Sequence, residues 1–227
     1  MNKPKIRSAY LRNNYAGLFQ ACISLSKPGT CVEIGILDGY STIAIGSTLK
    51  NLGRGHLYAY DLFEDYPYTN QKYEEVLSRM ERFNLTDTVT LRKKDILKAA
   101  SDFRDSSIDF MHVDIANSGD TVANVLMEWN EKINPGGILI FEGGSPLRDE
   151  ISWMKKFEKE KILPELKANE ILNTQYTYAI LHPFPSVCLC SKNLDNQKNN
   201  WFELDYEYAE KENLKRKIGE NELFDMD

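Results

Sequence analysis

The chain has 227 residues, 42% of them apolar, enough for a single α/β domain with a sizeable core. Residues 203–227 hold nine acids (Glu203, Asp205, Glu207, Glu210, Glu212, Glu220, Glu222, Asp225, Asp227) against four bases (Lys211, Lys215, Arg216, Lys217), so this tail carries nearly all of the net charge of −6. The remaining body is close to neutral, which excludes a broad electrostatic footprint for nucleic acid. No apolar run approaches the roughly 20 residues of a membrane span. Met1 to Tyr10 is basic and polar and leads into no signal-like apolar stretch, so the expected compartment is the cytoplasm. The cysteines, Cys22, Cys31, Cys188 and Cys190, form no C-x-x-C pair and read as reduced packing residues.

The elements alternate along the chain. Leu11, Tyr15, Leu18, Cys22 and Leu25 recur at helical spacing until Lys27-Pro28-Gly29 stops them. Thr30 to Gly35 reads as a buried strand. Ile45, Leu49 and Leu52 mark a helix ended by Gly53, and His56 to Asp61 a second strand. A helix is predicted from about Asn70 to Phe83, then strands at Thr88–Arg92 and Ile108–Asp114. Val122, Val125, Leu126, Trp129 and Ile133 form the clearest apolar stripe, with Asn134-Pro135-Gly136-Gly137 as its terminator. Ile138 to Phe141 is a continuous apolar run ending in Glu142. A helix over about Leu147–Glu160 follows, then strands at Tyr176–Leu181 and Val187–Cys190 joined by a connection short enough for an antiparallel hairpin.

This alternation predicts an α/β fold: a Rossmann-like seven-stranded mostly parallel sheet with a terminal antiparallel hairpin and helices on both faces. The body spans residues 1–192. Residues 193–227 form an acidic aromatic tail, whose Trp201, Phe202, Tyr206 and Tyr208 are expected to dock on the body or on a second subunit, as in a homodimer.

In open α/β sheets, ligands bind at the carboxyl ends of the strands. The first strand runs into Glu33-Ile34-Gly35-Ile36-Leu37-Asp38-Gly39-Tyr40-Ser41-Thr42. Its two glycines allow a sharp turn and close backbone approach. Ser41 opens the next helix, where a hydroxyl and free N–H groups can hold a carboxylate. The pattern is neither G-x-G-x-x-G nor a P-loop. Asp61 ends the second strand, where an acid can accept ribose hydroxyls. Asp95-Ile96 follows the third strand, within reach of a nucleobase. With Glu33 and Asp114 added, so many acids would repel a pyrophosphate. They would attract a ligand carrying an ammonium, a sulfonium, a ribose and one carboxylate, which favours S-adenosylmethionine (SAM) over NAD.

The run from Val32 through Thr42 resembles the first motif of class I SAM-dependent O-methyltransferases, in the small-molecule branch of catechol, caffeoyl-CoA and sugar O-methyltransferases. Asp61, the strand ending at Asp114, and Pro135-Gly136-Gly137 before an apolar strand fall in that family's order. The likeness covers about Lys27 to Ser191. It implies that Glu33 reaches the methionine amino group, that Gly35 and Gly39 line the methionine moiety, and that Ser41 binds its carboxylate. It further implies that Asp61 holds the ribose while Asp95 and Ile96 face the adenine.

Methyl transfer requires alignment of an acceptor and removal of its proton. Asp114 and Glu142 end strands expected to be neighbours, at the ~4.8 Å spacing of a sheet. Two carboxylates so placed share a proton or bind a cation. The resemblance assigns them two ligand positions of a divalent ion such as Mg²⁺, while Gly143 and Asn117 depart from the remaining positions. Asp114 is the candidate catalytic acid–base group. His112 lies on the same strand face and is either a general base or a hydrogen-bonded core histidine. The expected acceptor is a small molecule, a sugar hydroxyl among the candidates. Alternatives are a nucleic-acid methyltransferase, disfavoured by Asp114-Ile115-Ala116-Asn117 where an Asp/Asn-Pro-Pro-Tyr/Phe motif would stand, and a SAM-binding protein without chemistry.

Overall fold

Successive residues of the central strands belong to two different cores. In the computed structural model, which describes residues 6–66, 71–182 and 185–194, seven strands form one sheet. They are β1 (Thr30–Ile34), β2 (His56–Asp61), β3 (Val89–Lys93), β4 (Ile108–Val113), β5 (Ile133–Glu142), β6 (Tyr176–Leu181) and β7 (Val187–Lys192), in the order β3-β2-β1-β4-β5-β7-β6. The first five strands run parallel; β7 is antiparallel to both β5 and β6. Cys31, Leu57, Ala59, Phe110 and Ile140 point to one face, where α1 (Tyr15–Ser26), α2 (Tyr40–Leu52) and α3 (Tyr73–Arg82) supply Phe19, Ile23, Ile45, Leu49, Val76 and Met80. Val32, Ile34, Met111, Val113, Leu139 and Phe141 point to the other. There they meet Val122, Val125, Leu126 and Trp129 of α5 (Gly119–Trp129). The period-2 geometry of a strand thus divides apolar residues between helical layers on both faces.

The structure departs from the sequence reading at three places. Leu11 is not on a helix stripe but half exposed in a short 3₁₀ turn, Ala9–Arg12, capped by Ser8. The left-handed Asn14 (φ 50°) separates that turn from α1, and the bend buries Tyr10. Asn134 to Gly137 do not end a helix, since α5 stops at Trp129. They loop out of β5, where the register with β4 jumps from Ile108–Ile133 to Phe110–Ile138. The helix expected over Leu147–Glu160 is two short pieces, α6 (Pro146–Asp149) and α7 (Ser152–Lys156), with α4 (Ile96–Ala99) preceding them in the chain. The reason is Asp149, whose carboxylate leaves the helix to accept the Ile162 and Leu163 amides at 2.8 and 2.9 Å. It thereby caps α8 (Ile162–Ala168), which α9 (Glu170–Gln175) follows; neither was anticipated. The aromatic tail beyond Leu194 lies outside the described residues.

The chain segments leaving β1 and β4 still touch at Gly35. Its amide donates to Tyr60 O at 2.9 Å while the Asp114 amide donates to Ile34 O at 2.8 Å. Gly35 has φ 88°, and a Cβ there would sit 2.0 Å from the Asp114 carbonyl oxygen. Both the backbone conformation and the space require glycine. Gly35→Ala is expected to lose about 3 kcal/mol or more of stability, read as the shift of the urea midpoint; an unchanged midpoint would show that the two loops can separate freely.

Candidate active site

The order β2-β1-β4 places β1 where the chain's connections diverge to opposite sides, and this is where an open sheet leaves a crevice at its carboxyl edge. The β1–α2 loop shapes that edge. Leu37 adopts φ 49°, unfavourable for a branched side chain, and Gly39 follows at φ 83° to begin α2. Asp61 holds this loop from the end of β2. One of its carboxylate oxygens accepts the Ile36 amide at 2.8 Å and the Leu37 amide at 3.4 Å, and the other accepts the Phe63 amide at 2.8 Å. Asp38, buried, is clamped by Arg7: Nε and Nη2 each donate at 2.9 Å and the Arg7 amide at 2.8 Å. Burial raises the Asp38 pKa, but the Arg7 bonds prevail and hold it below the usual carboxylate value. Ser41 is buried in the first turn of α2.

The second group lies at the ends of β4 and β5. Val113 pairs with Phe141, so Asp114 and Glu142 leave adjacent strands side by side. Glu142 is buried and in an ion pair: Arg148 Nε lies 2.7 and 3.0 Å from its two carboxylate oxygens. Arg148 Nη2 donates to Asn117 O at 3.3 Å, whereas Arg148 Nη1 and Asn117 Oδ1 are buried with no hydrogen-bond partner. Asp114 is partly exposed. Loss of hydration and the negative charge of Glu142 push its pKa up to about 7, against the pull of His112 and a hydrogen bond from Tyr10. His112 is fully buried, with Nδ1 at 3.0 Å from Glu33 Oε1 and Nε2 at 3.1 Å from the Tyr10 hydroxyl. Glu33 is fully buried too, and its other oxygen accepts from Thr42 Oγ1 at 2.5 Å.

The structure therefore brings Glu33, Asp61, His112, Asp114 and Glu142 to one edge of the sheet. Glu33 lies beneath the glycine loop, committed to Thr42 and His112. Asp95 and Ile96 sit further out, past the end of β3, where Ile96 opens α4 and packs against the second core. Gly39 has φ 83°, which disfavours any side chain, and a Cβ there would lie 3.2 Å from the flexible end of Met80. The Arg92-Lys93-Lys94 run is paired with Asp102, Glu64 and Asp65. Phe63 packs in the core 5.2 Å from the Tyr73 ring, so the described part of the Phe63–Tyr68 segment is a packed loop; residues 67 and 68 lie outside the described residues. Sequence reasoning missed Arg7, Tyr10 and Arg148, of which only Arg148 is near in sequence to the group it contacts.

A divalent ion does not fit the Asp114–Glu142 pair. A buried guanidinium already holds both Glu142 oxygens and would repel a second cation at that position. Among the described residues, no group of three or more His, Cys, Asp and Glu side chains is placed to hold a metal.

Residues 32–142 match the family model described as a methyltransferase domain. The chain's fold is that of the SAM-dependent O-methyltransferases. An O-methyltransferase from Bacillus cereus solved with S-adenosylhomocysteine (SAH) is 17% identical, with 85% of each chain covered and a TM-score of 0.61. SAH-bound PaMTH1 of Podospora anserina is 14% identical, with 85% of this chain and 83% of that one covered and a TM-score of 0.64. TomG of Streptomyces achromogenes, an O-methyltransferase of tomaymycin synthesis solved with SAM, is 16% identical over 84% and 83%, with a TM-score of 0.60. No curated protein matches the sequence. No helix among the described residues is long and apolar enough to cross a membrane.

Two outcomes follow from the charges around this crevice. Arg148→Ala strands Glu142 as an uncompensated buried charge and is expected to cost about 3–5 kcal/mol in chemical denaturation. Asp114 is an acid whose folded pKa, about 7, lies above its unfolded value. Between the two values the folded state alone holds the proton, so stability falls as pH rises through that window. Asp114→Asn is expected to flatten this fall; a thermal-melt pH profile matching wild type would show that Asp114 is not the group responsible.

Proposed function

We propose that this chain transfers a methyl group from SAM to an oxygen of a small molecule, a sugar or other metabolite hydroxyl, with no divalent ion at the Asp114–Glu142 pair. The observation that carries this reading is the placement of Asp114, a partly exposed acid at the end of β4 beside Glu142 of β5, where burial and that neighbouring charge push its pKa up to about 7. The methyltransferase match and the fold support it.

The chemistry of the crevice suits SAM. Asp61 keeps lone pairs beyond those that hold the loop, and a carboxylate with spare lone pairs can accept ribose hydroxyls. Ser41 and the first turn of α2 suit a carboxylate, and Asp95 with Ile96 would face the adenine. Gly35 and Gly39 set the loop's path past the methionine end. The acidic edge as a whole favours a cationic ligand. Bound there, SAM supplies an electrophilic methyl whose bond to sulfur breaks as its bond to the acceptor oxygen forms. Asp114 takes the acceptor's proton. Glu33, enclosed between Thr42 and His112, supports this edge from below. Arg148 supplies from within the chain the positive charge that a metal would bring.

Titration calorimetry with SAM and SAH tests the cofactor assignment. Wild type is expected to bind both, and Asp61→Ala to bind at least about tenfold more weakly, the scale of one hydrogen bond to a charged group. A flat trace from folded wild-type protein would remove the reading altogether. Turnover of labelled SAM over a panel of hydroxylated acceptors is expected to be the same with and without EDTA; loss of turnover in EDTA would restore the metal.

A further inference from the structure

The β1–α2 loop keeps an awkward shape and has little of its own to keep it with. Leu37 sits at φ 49°, a left-handed conformation that a branched side chain disfavours. Within the loop, one hydrogen bond closes the turn, from the Gly39 amide to Ile36 O at 2.8 Å. Gly39 is the N-cap of α2 and brings no side chain to cap it. The loop is therefore held from outside, at two points. Asp61 accepts the Ile36 and Leu37 amides, and Arg7 grips Asp38. The first holder is shared, because Asp61 is also the acid proposed to hold the ribose. The second is not.

Arg7 meets Asp38 with three donors. Its amide and Nε reach one carboxylate oxygen at 2.8 and 2.9 Å, and Nη2 reaches the other at 2.9 Å. A planar fork on a carboxylate fixes direction as well as distance. Asp38 is 2% exposed, so it cannot turn to water in exchange. Arg79 of α3 lies further off, 3.8 Å from the carboxylate, with Nη1 at 3.5 Å from Asp38 O.

The segment that carries Arg7 has anchors of its own. Ser8 Oγ accepts the Tyr10 amide at 3.2 Å. Tyr10 is buried, its hydroxyl 3.1 Å from His112 Nε2 and its ring edge-on to Tyr15 and Phe19. Asn13 Nδ2 donates to Pro185 O at 3.5 Å. Between Arg7 and Asn13 the chain thus passes from the loop after β1, past the end of β4, to the connection before β7. Arg7 itself keeps 59% of its side chain exposed and belongs to neither core. Its loss opens no core cavity; what it releases is Asp38 and the loop around it.

We infer that Arg7 is a positioning residue for the cofactor, holding the β1–α2 loop through Asp38 in the path that SAM needs and so coupling the N-terminal segment to cofactor binding, an inference that rests on the SAM reading above. A loop ordered before its ligand arrives spares the ligand the cost of ordering it. Two partners that favour the same loop conformation also favour each other, by the same factor in either direction. Arg7 therefore strengthens SAM binding, and bound SAM holds Arg7 more firmly on Asp38. A purely structural ion pair would stabilise the folded chain equally with and without the cofactor.

The test uses the full chain and SAH. Calorimetry on Arg7→Ala is expected to show SAH bound at least about fivefold more weakly than by wild type, the lower end of such couplings. Arg7→Lys, which keeps the charge and loses the fork, is expected to fall between them. Asp38→Asn is expected to weaken SAH as Arg7→Ala does, and the double variant to be no worse than the weaker single one. In the other direction, SAH is expected to slow amide hydrogen exchange over residues 7–10 of wild type by a similar factor and to leave Arg7→Ala unprotected there. Wild-type affinity for SAH in folded Arg7→Ala, or equal slowing of exchange in both proteins, overturns the inference. Should Arg7→Ala not fold, wild type decides alone: exchange over residues 7–10 that SAH fails to slow overturns it. Folded wild type that binds no SAH removes the SAM reading itself, whereas wild type that binds SAH no more tightly than Arg7→Ala removes only the role of Arg7.

Discussion

A carboxylate withdrawn from water costs several kcal/mol unless cations or hydrogen-bond donors meet it, and that constraint organises the carboxyl edge of this sheet. Asp38 is met by the Arg7 fork, Asp61 by three backbone amides, Glu33 by Thr42 and His112, and Glu142 by Arg148. Each solution also fixes a piece of chain. Arg7 ties the N-terminal segment to the glycine loop, Asp61 holds Leu37 at its left-handed φ, and Arg148 binds α6 to β5 and to the loop after β4. Asp114 stands apart because its chief charged neighbour, Glu142, is another acid. Its raised pKa is the consequence of compensating the others first.

Residues whose places follow from local geometry are legible in the sequence. The apolar runs of β1, β4 and β5, the turn at Gly35 and Gly39, and the acids closing β2, β4 and β5 all follow from strand periodicity and from the rule that ligands meet open sheets at strand ends. What escaped was the set of partners. Tyr10 reaches His112 across 102 positions and Arg7 reaches Asp38 across 31, and no periodicity links such pairs. Arg148 is only six residues from Glu142, but it lay within a segment whose spacing favoured one long helix. Asp149 breaks that helix to cap α8, and the break turns Arg148 inward. His112 looked ambiguous between base and core residue because the sequence shows neither Glu33 beside one nitrogen nor Tyr10 beside the other.

The same arrangement bears on how an acceptor is activated. A metal ion lowers the pKa of a hydroxyl by touching its oxygen, so the protein needs only a weak base nearby. The guanidinium buried against Glu142 has its Nε on the carboxylate and its Nη2 on a backbone carbonyl, and leaves Nη1 without a partner. It lowers the negative charge of the edge. On the proposed reading the task then moves from acidifying the acceptor to strengthening the base, the role given to Asp114. Burial beside Glu142 raises Asp114 towards neutrality, which makes it a better proton acceptor and a poorer proton donor back to solvent. A base tuned that way retains the proton it has taken unless something removes it.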